Sequence, residues 1–78
     1  MEWTIIDHKL TKEFTCDNFV DAVEFVKEIT QFAEELNHHP DILIHAYKQV
    51  KIMLSTHDEN KVTQKDYDLA KRIDILRE

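Results

Sequence analysis

The 78-residue sequence has no glycine, a single proline (Pro40), a single cysteine (Cys16) and no apolar run longer than three residues. Each scarcity excludes something. Without glycine, turns and left-handed backbone positions fall to Asn, Asp and Pro, the next-best residues for that work. One cysteine excludes a disulfide framework within one chain and a cysteine-rich zinc site, and makes a reducing, cytoplasmic location the expectation. The runs at 42–44 and 52–54 fall far short of the ~20 residues a transmembrane helix needs, and of a secretory h-region. No membrane is therefore expected as a partner.

Basic residues are also scarce. Sixteen acids face ten bases, for a net charge of −6. The imbalance sits in the first half: residues 1–41 hold three Lys and ten Asp/Glu, residues 42–78 seven Lys/Arg and six Asp/Glu. No basic stripe for a phosphate backbone exists, which argues against direct nucleic-acid binding. At 42% hydrophobic residues, the chain has enough apolar surface to fold. Its length predicts one domain over 1–78. A domain this small buries only about 60% of its unfolded surface, so a homodimer or homotetramer is expected.

Residues 3–10 and 12–16 are rich in β-branched and aromatic types and predict two strands. Helical spacing governs 18–36: Phe19, Ala22, Val23, Val26, Ile29, Ala33 and Leu36 recur at i, i+3, i+4, i+7, with Phe25 and Phe32 widening the face. Asp17 or Asn18 suits the N-cap and Asn37 a left-handed stop before Pro40. Residues 41–46 and 49–56 predict two more strands, with Val50, Ile52 and Leu54 alternating inward. A turn over 58–61 follows. Thr63 and Asp66 then form a capping-box pattern ahead of a closing helix with Leu69, Ala70, Ile73 and Leu76 on its face. The expected fold is α+β, ββαββα, a four-stranded antiparallel sheet with two helices packed on one face. Such a sheet has open edges that invite pairing with a second chain, and the stripe of Leu69, Ile73 and Leu76, widened by Tyr67, Ala70 and Ile75, offers a further contact.

Four of the five histidines fall between 38 and 57. His38 and His39 lie between a helix end and a strand, braced by Pro40, which biases His39 to an extended backbone. His57 follows the fourth strand. A loop after a helix and the end of a neighbouring strand can open on one edge of the sheet, gathering three imidazoles around one cleft. Imidazole suits proton transfer in both directions near neutral pH. An exposed histidine is more often a plain surface residue, and His8, at the first hairpin, and His45, on a strand, are read as structural. A metal site is a rival reading, but adjacent histidines without an i+4 partner lack helix-metal spacing, and no cysteine is placed to help. No metal is expected. Asp66 has a structural explanation of its own, since an acid at the third helical position favours the helix dipole.

The spacing Glu34, three residues, His38-His39-Pro40, six residues, Tyr47, nine residues, His57, eight residues, Asp66 resembles the signature of the pterin-4α-carbinolamine dehydratases. The text around it, Asn37 to Ile42 and Leu54 to His57, is similar too, as are Trp3, Leu10, Phe14, Phe19, Ala22 and Phe25. The resemblance runs from about Trp3 to Ile75. The chain departs from the family pattern at Lys48-Gln49 after Tyr47 and in having no glycine in the turn after His57.

The resemblance implies dehydration of 4a-hydroxytetrahydropterin to quinonoid dihydropterin, with no cofactor or metal. It implies His38 and His57 as acid/base groups flanking the 4a carbon. His39 would hold substrate and stabilise developing charge, and Asp66 would orient or support an imidazole. Ser55 and Thr56 would contact the pterin, in a substrate-binding set that also takes in Pro40 and Asp41. Animal members also serve as a dimerisation cofactor of a homeodomain transcription factor, so a protein partner is the alternative reading.

Overall fold

The computed structural model describes residues 2–77. Strands β1 (Thr4–Ile6) and β2 (Lys9–Thr15) are followed by helix α1 (Phe19–Leu36), strands β3 (Asp41–His45) and β4 (Gln49–Leu54), and helix α2 (Gln64–Leu76). All strand pairs are antiparallel, in the order β1-β2-β4-β3. The α+β fold and the ββαββα order match the expectation. No helix among the described residues is long and apolar enough to cross a membrane.

The first hairpin turns at Asp7-His8, inside the predicted strand 3–10 and at the His8 position read as part of a hairpin turn. Asp7 and His8 are left-handed, at φ 51° and 66°, so the predicted strand 3–10 breaks in two. Paired left-handed residues match the twist of the flanking strands in a two-residue turn, and Asp and His tolerate that region better than most side chains. The β-formers on either side hide the turn when glycine does not mark it. Asn37 (φ 50°) and Asn60 (φ 52°) fill two more left-handed positions. Ala46 (φ 48°) and Tyr47 (φ 55°) do so in the β3–β4 turn with no such aptitude, at roughly 1 kcal/mol or more each.

Alternation along the central strands sends Leu10 and Phe14 of β2, and Val50, Ile52 and Leu54 of β4, into one core with both helices. Helix α1 contributes Ala22, Phe25, Ile29 and Ala33 as its buried residues. The expected face was drawn partly askew: Phe19, Val23 and Leu36 are exposed, and Phe25 lies at the centre. Two apolar stripes overlap on this helix, and periodicity alone does not say which one meets the sheet. On α2, Leu69 and Ile73 are fully buried in the chain's own core. They are therefore unavailable for the contact between chains suggested above, which leaves Tyr67 and Ile75 exposed.

The helices run antiparallel, which sets the end of α2 beside the start of α1. Arg77, after α2, donates to both carboxylate oxygens of Asp21 in the first turn of α1 (3.2 and 3.3 Å) and stacks 4.3 Å from the centre of the Phe25 ring. The backbone N–H of Asp17 and then the Arg77 guanidinium hold the Asp21 carboxyl below its ordinary value. Their contribution to stability is present above the usual carboxylate range and fades as pH falls through the lowered value. A second clasp joins the β1 end of the sheet to α2: Trp3 Nε1 donates to Asp74 and Lys12 Nζ lies 2.7 Å from the same carboxylate. Burial pushes the Cys16 thiol up from its ordinary value.

Phe25 joins these parts, packing edge-to-face on Phe14 at 5.0 Å and carrying the Arg77 guanidinium over its ring. Phe25→Ala should destabilise the fold by ~3–5 kcal/mol, the usual range for a buried phenylalanine. Urea denaturation at neutral pH measures this, and a loss under about 1 kcal/mol would show that α1 does not rest on this ring.

Candidate active site

Three segments meet at one end of the sheet. β3 enters there at Asp41, which pairs with Met53 near the end of β4. The α1–β3 link (37–40) and the β4 exit (55–57) therefore lie side by side, with the start of α2 beside them. Helix α1 is stopped by Asn37 in the left-handed region; the Asn37 N–H bonds to Glu34 O (3.2 Å) and the His38 N–H to Ala33 O (3.0 Å). This double closure satisfies the last carbonyls and reverses the chain, which points His38 inward. Pro40 follows and keeps His39 extended.

His38 is buried, and its Nε2 lies 2.5 Å from Oδ1 of Asp66, which is 0% exposed. The other oxygen, Oδ2, accepts from the Thr63 backbone N–H (2.9 Å) and from the Thr56 hydroxyl (3.1 Å). A carboxylate can only accept, so His38 donates from Nε2, and Nδ1 is left to take up or release a proton. Asp66 thus serves two ends at once. It caps α2 through Thr63 and fixes the tautomer of His38. A small cleft of about 90 Å³, lined by Leu36, His38, Lys65 and Asp68, opens beside this pair.

The other histidines are placed differently. His39 is exposed at the rim, its Nε2 2.6 Å from Glu34 Oε2. His57 is exposed at the start of the 57–60 turn, one residue beyond Thr56. His38 and Asp66 are in direct contact, then, while His39 and His57 fall between them in sequence and are both exposed. Ser55 and Pro40 are half-buried near these residues. The Thr56 hydroxyl is committed to Asp66 and, at 2.6 Å, to Thr63 Oγ1. The Asp41 carboxylate is paired with Lys9 at 3.1 Å. His45 sits at the far end of β3 from His39, with Glu13 at 2.8 Å. Among the described residues no group of three or more His, Cys, Asp and Glu is arranged to hold a metal ion.

Sequence reasoning missed the inward role of Thr56 and the partnership of Glu34 with His39. One signal was present for the first. Thr56 continues the period of Ile52 and Leu54, which places its side chain on the buried face. Asp66→Ala would strand three donors in the interior and should cost at least about 3 kcal/mol, as breaking a buried pair does. Glu34→Ala, at an exposed pair, should cost under about 1 kcal/mol. Equal losses in parallel denaturation curves would contradict this division.

The profile of the family described as Pterin 4 alpha carbinolamine dehydratase matches residues 1–76. A protein of Herpetosiphon aurantiacus, named as a candidate pterin-4-alpha-carbinolamine dehydratase, is 50% identical over 74 residues, covering 95% of this chain and 76% of that relative. One of Sulfolobus acidocaldarius, named likewise, is 46% identical over 75 residues, covering 96% and 81%. Among solved structures, a transcriptional coactivator/pterin dehydratase from Brucella melitensis superposes with a TM-score of 0.89 at 32% identity, over 97% of this chain and 82% of that one. A pterin dehydratase-like protein described as a RuBisCO assembly factor in the alpha-carboxysome shares the fold, with a TM-score of 0.77 at 22% identity over 97% and 89%. With a profile spanning almost its whole length and relatives at such identity, the chain belongs to the pterin 4 alpha carbinolamine dehydratase family.

Proposed function

We propose that this chain is a hydro-lyase that converts 4a-hydroxytetrahydropterin to quinonoid dihydropterin and water. The observation that carries the reading is the buried Asp66–His38 pair in a member of this family, with exposed His39 next to His38 in the chain and exposed His57 next to Thr56, a hydrogen-bond partner of Asp66. In the reaction the C4a–O bond breaks and the hydroxyl leaves as water, taking a proton from an imidazolium. The N5–H bond breaks as well; its electron pair forms the N5=C4a bond and its proton passes to a neutral imidazole. No electrons leave the system, and imidazoles suffice for both transfers. His38 and His57 fill the acid and base roles, and His39 holds the substrate and offsets developing charge. Asp66 supports the imidazolium form of His38 at the moment it arises. Ser55, Thr56, Pro40 and Asp41 complete the proposed pterin-binding set. Thr56 contributes through its backbone, because its hydroxyl is spent inside. A reducing cytoplasm suits the single buried cysteine.

A second reading has its own observation. Phe19, Val20 and Val23 are exposed on α1 at 56%, 71% and 43%, a patch fit for a protein partner, and the Brucella neighbour carries the coactivator description. In that reading the chain is a non-catalytic interaction module. Turnover of a 4a-hydroxytetrahydropterin by the purified chain separates the two. His39→Ala should lose more activity than His38→Ala or His57→Ala, each of which should fall roughly 10²-fold, the worth of one acid–base group. The double variant His38→Ala/His57→Ala should be nearly inactive. A folded double variant at the wild-type rate would refute the site.

The working unit in this proposal is a homodimer or homotetramer. Both β1 and β3 are open edges of the sheet, and no proline blunts either strand. Ile5 and Ile6 on β1, with Tyr67 and Ile75 on α2, are exposed. Sedimentation equilibrium at micromolar concentration should give a mass at least twice that of the 9.3 kDa chain. A single species of monomer mass would overturn the assembly.

A further inference from the structure

Thr56 does more than fill space beside Asp66. Its side chain is buried, and its one hydroxyl proton goes to Asp66 Oδ2. The 2.6 Å contact with Thr63 Oγ1 must then take its proton from Thr63. The hydroxyls form a directed chain, Thr63 to Thr56 to Asp66, whose members polarise one another. The backbone of Thr56 meanwhile closes the turn that bears His57. Its N–H bonds to Lys61 O (2.9 Å) and its carbonyl accepts from the Glu59 N–H (3.1 Å). Residues 57–60 are exposed, so packing does little to fix them.

We propose that Thr56 is a positioning residue whose buried hydroxyl ties the His57-bearing turn to the Asp66–His38 pair, holding imidazoles from two separate loops in one register. This rests on the dehydratase reading and adds what aligns its two acid–base groups. A hydroxyl that merely satisfied a buried carboxylate would matter for stability alone. A positioning hydroxyl also sets the geometry of His57, a residue with no bond of its own to Asp66.

The test compares Thr56→Val, which keeps the shape without the hydroxyl, with Thr56→Ser, which keeps the hydroxyl. Steady-state kinetics are joined to nitrogen-15 imidazole spectra. In Thr56→Val, kcat should fall about 10-fold or more, as for a slight misplacement of reacting groups, with KM little changed. The His38 and His57 ring signals should both move. Thr56→Ser should restore both rates and spectra. Wild-type kcat in a folded Thr56→Val, unmoved His57 signals, or a Thr56→Ser as impaired as Thr56→Val would each overturn the proposal. Should Thr56→Val fail to fold, the wild-type chain still decides. The Thr56 and Thr63 hydroxyl protons should be protected from exchange and close in space, and their absence would refute the link. A wild-type chain inert toward the pterin would sink the dehydratase reading, while the spectra would still report on the tie between turn and pair.

Discussion

The Asp66 carboxylate is the constraint on which the rest of this end of the molecule depends. A fully buried acid is costly unless each oxygen is met by donors. Here the donors come from three places in the chain: the link after α1, the exit of β4 and the start of α2. Satisfying one side chain therefore welds three segments that the sheet topology only brings near. The pairing of Asp41 with Met53 sets the distance between the two loops, and Asp66 closes it.

That arrangement explains why the stop signal of α1 matters for the placement of His38. Asn37 in the left-handed region, and the N–H of His38 returned to Ala33, fix where the first imidazole leaves the helix. A helix running one residue longer would rotate the His38 side chain by about 100° away from Asp66. The stop, the buried acid and the orientation of the ring form a single unit, each part requiring the others.

Much of the fold was legible because its signals were local and redundant. The alternation Val50, Ile52, Leu54, the Thr63–Asp66 capping pattern and the Asn37 stop each carry a mechanism that tertiary context did not override. The first turn was harder to read. With no glycine at Asp7-His8, β-forming residues run almost unbroken across it, and only the left-handed tolerance of Asp and His marks the place. The inner face of α1 was ambiguous for a different reason: Phe19 and Val23 compete with Phe25 and Ile29, and the sheet decides between stripes. Residue types alone drew attention to His38, His39 and His57, while Asp66 read first as a helix cap and joined the proposed set only through the family resemblance. The period of β4 marks Thr56 as inward-facing, but its partners were not legible, because a buried polar network is defined by three-dimensional contacts that spacing along the chain does not reveal.

The adjacent histidines show how burial separates two copies of one chemical pair. His38 with Asp66 and His39 with Glu34 have nearly the same contact distance, 2.5 and 2.6 Å, yet their side-chain exposures are 10% and 0% against 58% and 68%. A hydrogen bond between such groups strengthens as the surroundings become less polar, and leaving it unmade costs more. His38 is therefore locked in one tautomer and one orientation. His39 is held by an exposed contact that costs little to break. In the proposed function, the fixed imidazole is the one assigned to proton transfer and the releasable one is the one assigned to the substrate, a division of work that follows from their difference in burial.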